Sequence, residues 1–300
     1  MEPIRFYNRY SKQIETEQVY GGEFIQWLYG TKTGNLCSEI LAKPLLSKVY
    51  GGWQDTLLSA KKIEPFIKNY KIEMDDFNYP EGKNSFASFN EFFIRSFKKG
   101  KRNFPSDAKK MGAFAEARYL GFNEVHDDSQ FLVKGKMLNR EKLIASDKWA
   151  NTFLAGPVVI ARLCPVDYHR FHFPFDGKIL DSYPVHGLYH SVNPWAVQKV
   201  EGVFFNNERH VTILDNPNFG KLAYIEVGAM CVGKIVQSYS TNKANEFKNG
   251  DEKGYFLFGG STVIIAGEKG RFKLSQDLSE NSLNKLETYI HLGDEIASSN

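Results

Sequence analysis

Two runs, Gly254-Tyr255-Phe256-Leu257-Phe258 and Val263-Ile264-Ile265-Ala266, carry the aromatic and β-branched residues of buried strand, yet Gly259-Gly260-Ser261-Thr262 separates them. A chain that buries both runs must carry a glycine pair inside its core sheet. A bulge or a close backbone approach explains such a pair. A second explanation is chemical. The Gly260 carbonyl has no Cβ beside it, and the Ser261 hydroxyl is its nearest nucleophile. A base that takes the serine proton while that carbonyl is polarised would shift the acyl group from nitrogen to oxygen, leaving an ester. Elimination across the ester cuts the chain. The dehydroalanine left at position 261 then loses ammonia to water and becomes a pyruvoyl group, an electron sink made from the protein itself.

The remaining sequence supports a soluble fold around that element. A hydrophobic fraction of 42% with 24% charged residues is that of a globular protein, and 300 residues can bury a substantial core. A net charge of +3 argues against general nucleic-acid binding but is compatible with weak attraction to anionic lipid. Cys37, Cys164 and Cys231 are odd in number and lack CxxC spacing, so neither a disulfide framework nor a zinc site is expected. The N-terminus has no apolar signal core, and no stretch reaches the length of a membrane span. The expected location is the cytosol, or a membrane surface reached from that side.

Residues 20–75 read as helical, with Phe24, Trp27 and Leu28 on one face, and Leu41, Leu45 and Val49, or Leu46, Val49 and Tyr50, on others. Lysines 43, 48, 61 and 62 alternate with these groups, a mix that suits a helix lying in a membrane interface. Ordinary core-facing helices with solvated lysines account for the same residues. Pro44 should start, kink or divide its helix. Ser88-Phe89-Asn90-Glu91 has capping-box spacing and predicts a helix carrying Phe92, Phe93 and Phe97 up to the basic run at 98–102. From about residue 110 short apolar runs alternate with Gly, Asn and Asp: 158–163, 203–205, 211–214, 222–227, 232–236, 255–258 and 262–265. Their spacing predicts strands, and 273–287 reads as a solvated loop or short helix. The fold class expected is α+β, with a helical region 1–105 beside a mostly antiparallel, sandwich- or barrel-like β region 106–300.

The densest polar constellation is Arg162 to Pro174, in which His169 and His172 lie beside Asp167, Tyr168 and two arginines. Imidazoles so placed suit acid–base work near neutral pH, and no supporting ligand pattern points to a metal. His126, His186, His190, His210 and His291 are expected to be structural.

Here the chain resembles the phosphatidylserine decarboxylases, which make a pyruvoyl group by cutting themselves before the serine of an L/G-G-S-T motif. The family's D-Y-H-R-x-H-x-P element stands as Asp167 to Pro174, its S-V-N-P as Ser191 to Pro194, and its N-E-R as Asn207 to Arg209. Its V-G-A-x-x-V-G stands as Val227 to Gly233, its F-N-E-F-F-x-R as Phe89 to Arg95, and Lys253 to Phe256 leads into Gly259-Gly260-Ser261-Thr262. The ordered set runs from about residue 20 to the C-terminus. The resemblance implies that Ser261 is the pyruvoyl precursor, cut from Gly260. His172 would be the base that activates it, and His169 would serve decarboxylation by protonating the product carbanion. A family aspartate that orients the cleavage histidine is matched by Glu116, in Ala113-Phe114-Ala115-Glu116-Ala117; Asp167 or Asp127 could fill that place instead. Implied partners are phosphatidylserine, an anionic membrane surface docked through residues 20–70, the two cleaved chains held together, and a second copy in a homodimer. Two alternatives remain open at this point: a decarboxylase of a soluble amino acid, and an uncleaved lipid-binding member weakened by Glu116.

Overall fold

The computed structural model describes residues 2–125, 139–230, 234–239, 245–259 and 261–300. Strand β1 (Arg5–Asn8) turns into β2 (Gln13–Thr16), and helices α1 (Gly22–Gly30), α2 (Lys32–Leu41) and α3 (Pro44–Gln54) follow. Pro44 opens α3, where a missing N–H leaves no helical bond unmade. A 3-10 stretch, Leu57–Lys62, leads to α4 (Ile63–Tyr70). Next comes α5 (Phe89–Phe93), capped by Ser88 Oγ, which accepts the Glu91 N–H at 3.2 Å. This helix is shorter than its sequence predicts. Phe97 lies beyond its end, bridged to Phe77 and stacked on it at 4.6 Å, and that pairing needs extended backbone where helix was expected.

The β region comprises β3 (Lys110–Gly112), β4 (Ala117–Phe122), β5 (Val158–Leu163), β6 (Arg170–His172), β7 (Gly177–Val185), β8 (Arg209–Asn216), β9 (Gly220–Val227), β10 (Ile235–Gln237), β11 (Glu246–Phe247), β12 (Glu252–Phe256), β13 (Ser261–Gly267), β14 (Phe272–Leu274), β15 (Glu287–Ile290) and β16 (Glu295–Ser299). Short helices α6 (Arg140–Ile144), α7 (Asp147–Ala150), α8 (Pro194–Lys199), α9 (Val203–Asn206) and α10 (Gln276–Leu283) lie between them. Residues 203–205, expected as strand, belong to α9, which starts from Gly202 at φ 68°; so few apolar residues cannot distinguish the two periods. Part of the run at 232–236 lies outside the described residues.

Ten strands form one sheet in the order β11-β7-β8-β9-β13-β5-β4-β15-β1-β2, with two smaller sheets, β10-β12-β6 and β14-β16-β3. Pairing is antiparallel except between β1 and β15, and the large sheet is not closed into a barrel. The first strands thus belong to this sheet and not to the helical region. Every residue of β13 is buried, because it runs centrally between β5 and β9 with Ser261 opposite Leu163. A second apolar cluster, with Ile63, Phe66, Phe86, Phe89, Phe92 and Phe93, packs the helices onto Phe258, just before Gly259. By contrast Leu36, Leu45, Val49, Leu57 and Leu58 are all about two-thirds exposed or more, so these helices turn much of their apolar surface away from the core.

Candidate active site

Ser261 is fully buried at the start of β13, and its Oγ lies 3.3 Å from Nδ1 of His169. The pairing of Ser261 with Leu163 explains the contact. Cys164 follows Leu163, and a tight turn returns the chain at once: the Asp167 N–H donates to the Cys164 carbonyl at 2.8 Å, while the Cys164 N–H donates to Asp167 Oδ2 at 2.7 Å. Arg118 Nη1 holds the same carboxylate oxygen at 2.6 Å. His169 therefore swings back over the serine. Its Nε2 is 2.8 Å from the Cys164 carbonyl, which can only accept, so in the neutral ring Nε2 carries the proton and Nδ1 offers its lone pair to Ser261. Burial, aided by the Arg95 charge and opposed by the bond to Cys164, lowers the His169 pKa to about 3. Phe93 of α5 stacks on the imidazole at 3.8 Å and fixes its plane. A neutral, oriented imidazole on a buried serine has the geometry that a general base needs beside a nucleophile.

His172, to which the resemblance gives that task, points elsewhere. Its Nδ1 donates to the Gly250 carbonyl at 2.9 Å, and its Nε2 is 3.1 Å from the Tyr168 hydroxyl. The odd spacing of 169 and 172 in near-extended backbone sends the two rings to opposite faces, and β6 pairs His172 with Glu252 of β12. Burial lowers the His172 pKa as well, with the Gly250 bond opposing.

Glu116 is buried but touches neither histidine. Arg102 grips it at 2.5 and 2.7 Å, and the Tyr289 hydroxyl and Leu292 N–H donate to it at 3.3 and 3.2 Å. Among the described residues, Asp167 is the carboxylate tied to the serine site, through the turn that sets the Cys164 carbonyl and not by a direct bond. Gly260, Asp127 and His126 lie outside the described residues. Gly259 has φ 146°, in the range that L side chains rarely adopt, which accounts for the first glycine of the pair.

Sequence reasoning missed Glu17, Arg118 and Arg162 as a buried charge cluster. Arg162 bonds Glu17 and Glu287, each at 2.6 Å, and its Nη1 donates to Cys164 Sγ at 2.9 Å. Burial raises the Glu17 pKa, but Arg162 and Arg118 overcome that and hold it at about 2. Arginines inside apolar strand runs were the signal available. Beside this cluster opens a largely apolar cavity of about 330 Å³, lined by Tyr20, Phe24, Ile25, Leu46 and Tyr50 of the helical region and by Leu163, Cys164, Val192, Phe258 and Gly259. It joins the exposed helices to Phe258 and Gly259, just before β13. The residues present would suit a serine-derived ketone: the Ser261 hydroxyl is buried beside the His169 imidazole, and Thr262 Oγ1 next to it has no hydrogen-bond partner among the described residues.

A family model described as phosphatidylserine decarboxylase matches residues 89–298. A phosphatidylserine decarboxylase proenzyme of Clostridium tetani is 39% identical over 293 residues, covering 98% of this chain and 97% of the relative. Proteins of the same name from Clostridium kluyveri, at 39% identity, and Clostridium beijerinckii, at 37%, cover 98% of each chain. With Ser261, the His169 turn and Gly259 in one buried site, the chain belongs to the phosphatidylserine decarboxylase family.

Proposed function

We propose that this chain cuts itself between Gly260 and Ser261, with His169 as the base, and that the resulting pyruvoyl enzyme converts phosphatidylserine into phosphatidylethanolamine and carbon dioxide. The observation that carries the reading is the neutral His169 ring at 3.3 Å from a fully buried Ser261 Oγ. The pyruvoyl ketone, once formed, supplies the electron sink for loss of the substrate carboxylate. What this chain's own residues contribute is separate. The Cys164 carbonyl holds the Nε2 proton, Phe93 fixes the ring, and the β5 and β9 neighbours of β13 exclude water. After decarboxylation the same His169 is placed to return a proton near residue 261.

Residues 261–300 would stay attached after the cut, since β13, β15 and β16 each pair with strands from the earlier part of the chain. The apolar residues exposed on α2, α3 and the 3-10 stretch, with Lys62 stacked over Trp53 at 3.7 Å, support docking on the cytoplasmic face of an anionic membrane. No helix among the described residues is long and apolar enough to cross one. The homodimer belongs to the same reading and is checked by sedimentation. Carbon dioxide release from phosphatidylserine vesicles, abolished by a carbonyl reagent, tests the activity. Release from free serine alone would replace it with a soluble-substrate decarboxylase.

A further inference from the structure

β12 ends at Phe256, and the Leu257 N–H still finds a backbone carbonyl, that of Lys234. The next amide, that of Phe258, has no strand partner. It donates instead to Oδ1 of Asn90 at 2.8 Å. Left unpaired in this apolar surround it would be a buried donor without an acceptor. Asn90 is almost fully buried, and its other side-chain atom is also used: Nδ2 donates to the Gly51 carbonyl of α3 at 3.2 Å and to Asp55 Oδ1 at 2.8 Å. The ring of Phe258 packs on Phe89 and Phe93, the two residues of α5 that flank this contact, and Phe93 is the residue stacked on His169. So α5 grips the segment before the reactive serine and the histidine that faces it, while its own amide is anchored on α3.

We propose that Asn90 is a positioning residue for self-cleavage. By holding the Phe258 amide against α3, it fixes where the glycine-rich segment begins and hence how Ser261 meets its base. The proposal rests on the reading that the chain is cut before Ser261. Gly259 stands at φ 146°, a conformation open to glycine, and an anchor on the residue before it limits where the following backbone can go, where reacting atoms must align.

The test times cleavage of freshly synthesised full-length chain by intact mass, for the parent, Asn90→Ala and Asn90→Asp, beside thermal midpoints measured in a Ser261→Ala background. Asn90→Ala should slow cleavage about 10- to 100-fold. Asn90→Asp keeps an oxygen for the Phe258 N–H but loses both donated bonds and brings a carboxylate against Asp55. It should be no more stable than Asn90→Ala and yet cleave faster. A purely structural role would make the cleavage rates follow the midpoints, and that order, or parental cleavage by Asn90→Ala, overturns the proposal. Hydrogen exchange of the Phe258 amide in the Ser261→Ala chain reads the contact without cleavage; Asn90→Ala should speed it at least about tenfold relative to β13 amides. Unchanged exchange overturns the proposal even if the parent never cuts, whereas an uncut parent with faster Phe258 exchange overturns only the cleavage reading.

Discussion

Replacing His169 by alanine and, separately, His172 by alanine distinguishes the two histidines by rate. Removing a general base costs about 10²- to 10⁴-fold, equivalent to about 3–5 kcal/mol of barrier. The His169 ring is the group on Ser261 Oγ, so His169→Ala should lose self-cleavage by that factor. His172→Ala removes bonds to Gly250 and Tyr168 that lie away from the serine. It should cost about 1–3 kcal/mol of stability and leave cleavage within about tenfold of the parent. The pH profile adds a second signature. A base with its pKa lowered to about 3 stays neutral well below the ordinary histidine value, so the rate should not fall through 6.5. The sign for stability is the depressed case: below 6.5 the unfolded chain takes a proton on this residue that the folded one refuses, and stability drains as pH falls toward 3. Cleavage is therefore followed between about pH 5 and 8, by intact mass over time. Loss of cleavage in His172→Ala with retention in His169→Ala would refute the assignment, and so would a rate that halves at the ordinary histidine value.

Glu116→Asp should not accelerate cleavage, because the carboxylate at 116 holds Arg102 and the Leu292 amide, and shortening it loosens that bidentate pair; faster cleavage on the same timed assay would restore its expected role as the histidine's orienting acid. Glu17→Gln leaves Arg162 and Arg118 short of a buried countercharge and should cost about 3–5 kcal/mol in denaturant titrations. In the parent the Glu17 contribution is complete above 4.5 and is lost as pH falls through about 2, so acid titration of the Glu17→Gln stability gap should show it closing across that window.

The strand after the glycine pair was legible because its apolar, β-branched run is long enough to mark core sheet. Aromatic and β-branched runs on both sides placed residues 262–265 in the core, within what is β13, and Val158–Leu163 emerged as β5 with the bounds its composition suggests. Local rules also placed the cap of α5 at Ser88 and marked Pro44 as a start, kink or break, of which the structure shows the start, that of α3. What escaped depends on partners distant in sequence. Arg5–Asn8 has no strand periodicity of its own and is a strand because Glu287–Ile290 lies beside it in parallel. Which histidine faces Ser261 follows from the turn at 164–167 and the pairing of β6 with β12, and spacing alone only says that the two rings diverge. Glu116 aligned with a family aspartate by position, but Arg102 and the loop at Leu292 claim its oxygens. Asn90 stood in a recognisable element, and its polar side chain among phenylalanines was the available sign that it serves a buried amide.

The most direct measurement is the intact mass of the purified protein under denaturing conditions. The account predicts two chains, residues 1–260 and 261–300, the shorter one lighter by one ammonia than a fragment beginning with serine and resistant to N-terminal sequencing. A single full-length chain, or a fragment with a free serine at position 261, would contradict it.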